Sequence, residues 1–220
     1  MNEWIGRRVF VRLYLVRHGQ TIANAERRFQ GHKDFPLSEI GEEQARRVAN
    51  RLANITLDCI YSSDLGRAIT TAEVVAANHG IEVQQNKLFR EYSWGVFDGL
   101  TLADAEDRYP HVMKKNVEDW GMVDIPEKEV YSEFLVRAEN ALQLLIDRHM
   151  GKQVLVVSHG RFLNAFMTKI LRMKEETIWA FAFVNTAITI IDVTHSRSPK
   201  VRLFNDTNHL NGIIGFDDTF

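Results

Sequence analysis

The sequence predicts an α/β fold: a three-layer α/β/α sandwich with a mainly parallel central sheet and a small insertion, or cap, over the C-terminal ends of the strands. Three observations lead there. Short apolar, β-branched segments alternate with longer segments of helical periodicity along most of the 220 residues, the order that gives a mainly parallel sheet covered on both sides. Val154-Leu-Val-Val157 is a run of four apolar residues, as expected of a strand buried on both faces. The stretch from Tyr92 to Val130 breaks the alternation: it is polar, carries Pro110 and Pro126, and offers only short helical pieces.

In order, Val9 to Val16 is β-branched and aromatic and predicts a buried strand. Arg7 and Arg8 before it faintly resemble a signal peptide, but Arg12 interrupts the apolar stretch and no small-residue cleavage site follows. Ser38 to Asn54 reads as a helix, with Ser38 as N-cap and Ile40, Ala45, Val48 and Leu52 on its apolar face. Leu57 to Tyr61 is a short strand, Gly66 to His79 a helix ended by Gly80, and Glu82 to Leu88 a strand. Ser132 to Met150 is a long helix closed by Gly151, with Phe134, Leu135, Ala138, Ala141, Leu142 and Leu145 on one side. After the Val154–Val157 strand come a helix from Arg161 to Leu171 and two final strands, Ala187 to Val193 and Val201 to Asn205.

Composition narrows the function. Hydrophobic residues make up 45% and charged residues 25%, the balance of a globular protein rather than a disordered one. Lys plus Arg (27) against Asp plus Glu (29) gives a net charge of −2, without the basic excess of a generic nucleic-acid binder. No apolar run approaches the ~20 residues of a membrane helix. The single cysteine, Cys59, excludes an internal disulfide framework and a cysteine-based zinc site, and suits the cytoplasm. No linker, repeat or low-complexity tract is present. The chain therefore reads as one domain over 1–220, with 92–130 as a cap-like insertion and 1–11 as an N-terminal extension given no function.

The chemistry-bearing residues sit at strand ends. The first strand runs into Arg17-His18-Gly19, and the Val154–Val157 strand into Ser158-His159-Gly160. Ligands of open α/β sheets bind beyond the carboxyl ends of strands, so two histidines, each followed by glycine, arrive where a ligand sits. Cys59-Ile60-Tyr61 leads to Ser63-Asp64-Leu65-Gly66-Arg67, and Arg67 opens a helix whose N-terminus favours an anion. Glu91 follows the next strand. Taken alone, it reads first as a surface ion-pair partner of Arg90 or another base.

These blocks resemble the histidine phosphatase superfamily, the phosphoglycerate mutase-like enzymes, and among them the short bacterial broad-specificity phosphatases. The resemblance rests on Arg17-His18-Gly19 with Asn24 and Gln30-Gly31 downstream. It continues in Ser63-Asp64-Leu65-Gly66-Arg67-Ala68 with Thr71-Ala72, in Leu88, Glu91, Gly95 and Gly99, and in Ser158-His159-Gly160. The order and spacing match from Leu13 to about His209. By resemblance, His18 is the nucleophile that becomes phosphohistidine and Glu91 the proton donor. Arg17, Arg67 and His159, with Gly160 beside them, complete the phosphate pocket; Asn24 supports it and Gln30 lies near the phosphoryl group. The resemblance implies no metal or other cofactor, and no H-E-x-x-H or comparable spacing occurs among the eight histidines. The partner it implies is a small phosphorylated metabolite, with no role for nucleic acid or membrane; the oligomeric state stays open.

The residue types suit that chemistry. A phosphate monoester brings about two negative charges, which planar guanidiniums meet with paired donors. A histidine nucleophile must attack through a neutral nitrogen, and neighbouring guanidiniums depress its pKa. Two readings compete with a phosphatase. A cofactor-dependent mutase of the same superfamily is disfavoured because the insertion reads Glu118-Asp119-Trp120-Gly121 where mutases carry an Arg-Arg pair, and Lys114-Lys115 is its only paired base. A non-catalytic phospholigand-binding module is disfavoured because both histidines, both arginines and the glutamate are present.

The sequence also departs from its relatives. Glu129-Val130-Tyr131-Ser132 stands where many have Gly-Glu-Ser, and Arg161 replaces a second glycine after Gly160. Arg161 could reach the phosphate or the substrate's tail, or point to solvent. Trp94, Phe97 and Trp120 could line a pocket or form the insertion's own core. The acidic residues Asp124, Glu127, Glu129 and Glu133 read as a solvated face.

Overall fold

The computed structural model describes residues 10–113, 124–174 and 179–213. Its elements in chain order are β1 (Val11–Arg17), the one-turn helix α1 (Ile22–Ala25), α2 (Glu39–Leu52), β2 (Cys59–Ser62), α3 (Gly66–Ala76) and β3 (Val83–Gln85). Short helices α4 (Leu102–Arg108) and α5 (Pro110–Met113) follow, then α6 (Tyr131–His149), β4 (Gln153–Ser158), α7 (Gly160–Ile170), β5 (Ile188–Val193) and β6 (Lys200–Asp206). Each predicted element has a counterpart. Ser38 caps α2 by accepting the Gly41 N–H at 3.1 Å. The predicted strand from Glu82 to Leu88 is cut short, because Asn86 folds its side chain onto the Leu88 N–H and starts a 3₁₀ turn over Lys87–Phe89.

The six strands form one sheet in the order β3-β2-β4-β1-β5-β6. β1, β2, β3 and β4 run parallel; β5 is antiparallel to β1, and β6 to β5. Successive residues of a strand point to opposite faces, and here each face has its own core. Leu13, Leu15, Val154 and Val156 pack with Phe134, Ala138, Phe162 and Phe166 of α6 and α7. Tyr14, Val16, Leu155 and Val157 pack with Val48 and Leu52 of α2 and Ala68, Ala72 and Val75 of α3. The result is three layers.

That arrangement fixes where a ligand goes. β1 and β4 are neighbours in register, with Arg17 opposite Ser158. β1 leads to a helix on one face and β4 to a helix on the other, so the chain parts between their C-terminal ends and leaves a crevice there. The insertion packs beside this edge: Phe29 donates its N–H to Leu100 O at 2.9 Å, and Val96 to Pro126 O at 3.1 Å. Trp94 and Phe97 are buried against Phe29 at ring distances of 5.5 and 5.6 Å, and both join the core on the α6–α7 face of the sheet rather than forming a separate core of the insertion; Trp120 lies outside the described residues. Among the described residues no helix is long and apolar enough to cross a membrane.

Candidate active site

Because β1 and β4 end side by side, Arg17-His18 and Ser158-His159 meet. The His18 N–H donates to Ser158 O at 2.9 Å, and the two imidazoles lie 5.1 Å apart, tilted by 58°. Both are buried. Burial, and then the positive charges of Arg67 and Arg17, hold the His18 pKa well below the usual histidine value. His159 is lowered likewise, first by burial and then by Arg67. Both rings are therefore neutral near pH 7.

Their partners fix the tautomers. His18 Nδ1 lies 2.7 Å from Gly19 O. A carbonyl can only accept, so Nδ1 carries the proton and Nε2 keeps the lone pair. For His159 the logic reverses. Arg67 Nε can only donate, and it reaches His159 Nδ1 at 3.2 Å. His159 therefore carries its proton on Nε2, which is buried without a hydrogen-bond partner. Among the described residues, the two strand ends thus set the His18 lone pair beside a buried His159 N–H that has no hydrogen-bond partner.

Arg67 is buried to 1% exposure and fixed by carbonyls. Its Nη1 donates to Lys33 O and its Nη2 to Gly31 O, both at 2.8 Å. Burial pushes its pKa down to about 10 while Glu91 and Asp34 pull it up, so it stays a cation. The sequence expectation that the α3 N-terminus is open to a ligand anion needs correction: Asp34 accepts the Gly66 and Arg67 N–H groups and fills that place. Arg17 donates Nη1 to Phe183 O at 2.7 Å. Its guanidinium lies against Gly160, where an added Cβ would come 3.4 Å from Cζ.

Glu91 does not pair with Arg90, which grips Asp64 through two bonds of 2.6 and 2.7 Å. Its carboxylate caps α7, accepting the Phe162 N–H at 3.0 Å and the Arg161 N–H at 3.3 Å, along with its neighbour Tyr92 N–H at 2.9 Å. The Glu91 carbonyl is held by Arg137 Nη2 at 3.0 Å and His32 Nε2 at 2.9 Å. Arg137 also binds the carbonyls of Leu88 and Arg90 and pairs with Glu129. Glu129 is therefore an ion-pair partner rather than part of the expected solvated acidic face; Asp124, Glu127 and Glu133 are exposed.

Asn24 and Gln30 gather on Thr21. Asn24 Oδ1 accepts the Thr21 N–H at 3.0 Å, and Thr21 Oγ1 donates to Gln30 Oε1 at 2.9 Å. Asn24 completes the capping box of α1 with Thr21, and Gln30 is tied to the same hydroxyl. Arg161 stacks on Trp179, 4.5 Å from the ring centre, with Trp94 at 5.8 Å. The paired bases Lys114-Lys115 and the 118–121 stretch lie outside the described residues. Among the described residues no group of three or more His, Cys, Asp or Glu is placed to hold a metal ion.

The structure adds residues that the sequence reading missed. Asn185 Nδ2 donates to His18 O at 2.8 Å, and the Thr186 N–H to Arg17 O at 2.9 Å. Arg137 and Asp34 brace Glu91 and Arg67. Their partners lie 32 to 169 residues away, and nothing in the local sequence marks them.

Comparison with known proteins agrees with this geometry. Residues 13–207 match the family model of the histidine phosphatase superfamily (branch 1), and the chain belongs to that superfamily. It is 32% identical over 204 residues to phosphoglycerate mutase-like protein 4 of Arabidopsis thaliana, covering 91% of this chain and 87% of the relative. Among solved structures, Bacillus stearothermophilus YhfR superposes with a TM-score of 0.82 at 32% identity, covering 91% of this chain and 99% of that one. The alpha-ribazole phosphatase from Shigella flexneri gives 0.82 at 26% identity, covering 89% and 96%.

Proposed function

We propose that this chain is a phosphatase that hydrolyses phosphate monoesters of small metabolites through phosphohistidine on His18. The observation that carries the reading is the pair of buried neutral imidazoles with opposite tautomers: a lone pair on His18 Nε2 next to a buried, unsatisfied N–H on His159. One supplies the nucleophile and the other a donor for a phosphoryl oxygen.

In the first step His18 Nε2 attacks phosphorus and the ester P–O bond breaks. Its electron pair leaves on the ester oxygen, which takes a proton from the Glu91 carboxyl. Positive charge growing on the imidazole is stabilised at Nδ1 by the Gly19 carbonyl. Arg17, Arg67 and His159 Nε2–H meet the charge spread over the equatorial oxygens, where most of the catalysis of phosphoryl transfer resides. In the second step water attacks phosphorus and gives a proton to Glu91. The P–N bond breaks, its electron pair returns to Nε2, and inorganic phosphate leaves.

The chain as one domain, with residues 92–130 as a cap that selects the leaving group, fits this chemistry. The lone, buried Cys59 suits a reducing cytoplasm. The alternative, a mutase, draws on the name of the Arabidopsis relative, a phosphoglycerate mutase-like protein; the Shigella neighbour, an alpha-ribazole phosphatase, favours hydrolysis. A panel of phosphate monoesters with excess EDTA separates them, with 3-phosphoglycerate offered with and without its bisphosphate. The proposal expects phosphate release from several esters, undiminished by the chelator. Net conversion between phosphoglycerates dependent on the bisphosphate, with little phosphate release, would make the chain a mutase.

A further inference from the structure

The nucleophile is held from behind by a turn that the chemistry above does not use. β5 pairs with β1 as far as Ile188 opposite Val16. There the ladder ends, one residue short of Arg17, and the chain of residues 183–186 turns across the Arg17-His18 peptide instead. Its contacts with that peptide come in sequence. Phe183 O accepts from Arg17 Nη1 at 2.7 Å, Asn185 Nδ2 donates to His18 O at 2.8 Å, and the Thr186 N–H donates to Arg17 O at 2.9 Å. An amide side chain thus supplies the donor for His18 O where the strand has turned away.

The turn is kept at a cost. Thr186 has φ +55, a left-handed conformation that a β-branched residue rarely adopts. It is fully buried, and among the described residues its hydroxyl has no hydrogen-bond partner. A strained backbone and an unsatisfied buried hydroxyl in one residue persist only where surrounding contacts over-determine them. Here those contacts run to the catalytic loop. Asn205, itself at φ +51, braces the same turn by accepting the Val184 N–H at 3.0 Å.

We propose that Asn185 is a positioning residue for the His18 nucleophile, and that the left-handed turn at Thr186 is retained because it brings Asn185 to the His18 carbonyl. The inference rests on the phosphohistidine reading of the site. Asn185 fixes the main chain of His18 and, through it, the angle at which Nε2 faces phosphorus. A misplacement of about 1 Å at a reacting atom can cost on the order of 10²-fold in rate. The pocket's donors, the guanidiniums of Arg17 and Arg67 and the neutral His159 Nε2–H, make no hydrogen bond to the Asn185 amide, so affinity for a bare anion should survive its loss.

The test is rapid-quench measurement of phosphoenzyme formation from p-nitrophenyl phosphate, together with competitive inhibition by inorganic phosphate. Asn185→Leu should form phosphoenzyme about 10- to 100-fold more slowly, with its phosphate inhibition constant within about 3-fold of wild type. Asn185→Asp keeps the shape and adds a signature that a merely structural defect would lack. Its ionised carboxylate cannot donate to His18 O, whereas its protonated form can. Its rate relative to wild type should therefore rise as pH falls through the range where that carboxyl takes up a proton. Wild-type rates in both variants, or in Asn185→Asp alone should Asn185→Leu not fold, overturn the proposal; so does a relative rate for Asn185→Asp that is flat with pH. A wild-type protein that forms no phosphoenzyme defeats the phosphohistidine reading instead.

Discussion

Glu91 shows how a residue's surroundings decide between two roles that its sequence leaves open. Next to Arg90 it reads as half of a surface ion pair, but Asp64 takes both arms of Arg90. Glu91 turns instead to the first turn of the helix that begins after His159. That sets its carboxylate at the start of α7, within two or three residues of His159, and the proposed mechanism has it protonate the leaving group from there. Glu91→Gln tests the assignment with little disturbance, because the amide oxygen can keep the Tyr92 and Phe162 N–H bonds while the amide donates no carboxyl proton. An alkyl phosphate releases a strongly basic alkoxide, and p-nitrophenyl phosphate a stable phenolate. As general acid, Glu91 accounts for a loss of about 10²-fold or more in phosphoenzyme formation from alkyl phosphates on this substitution, against a much smaller loss with p-nitrophenyl phosphate. Equal losses in rapid-quench measurements would make Glu91 a positioning group.

Between elements, two backbones pass in close contact where the loop after β1 crosses the start of α2. A Cβ on Gly41 would stand 1.9 Å from Gln20 O, and one on Gly19 2.5 Å from Gly41 O. Both obstacles are backbone, which cannot swing aside. Gly41→Ala should therefore force α2 off the loop and lower stability by about 1–3 kcal/mol, a Tm loss on the order of 5 °C. The exposed Arg46→Ala on the same helix should stay within about 0.5 kcal/mol. Thermal denaturation of the two variants checks the contrast, and an unchanged Tm for Gly41→Ala would show that the crossing gives way. The elements themselves were legible because hydrophobic period and capping residues are local signals: Ser38 announces α2, and the Val154–Val157 run announces β4. The strand-end histidines were legible because parallel strands deliver their C-terminal ends to one edge. The braces were not. Asp34 on α3, Arg137 on the Glu91 segment and Asn185 on His18 act through side-chain bonds to distant backbone, and a polar residue in a loop has the same local sequence whether or not such a bond exists. The 3₁₀ turn at Lys87–Phe89 was missed because one asparagine cap outweighed the strand pattern.

At the scale of the whole molecule, function follows from topology. Two cores on opposite faces of one sheet require helices on both sides. The reversal of face between β1 and β4 opens the crevice, and the register of Arg17 with Ser158 sets two histidines next to each other in it. Burial then makes both neutral, and their fixed partners give them opposite tautomers. The proposed phosphate site rests on four short motifs, each of which lies at the start or end of an element. The choice of substrate has no such local signal, because the proposal assigns it to the insertion as a whole. The central claim is that His18 Nε2 carries the phosphoryl group, and its most direct test is to find that group. Brief turnover of a ³²P-labelled phosphate monoester, quenched without acid and followed by peptide mapping, should yield an acid-labile, base-stable label on His18, absent from His18→Ala along with turnover. A label on another residue, an acid-stable label, or full activity in His18→Ala would contradict it.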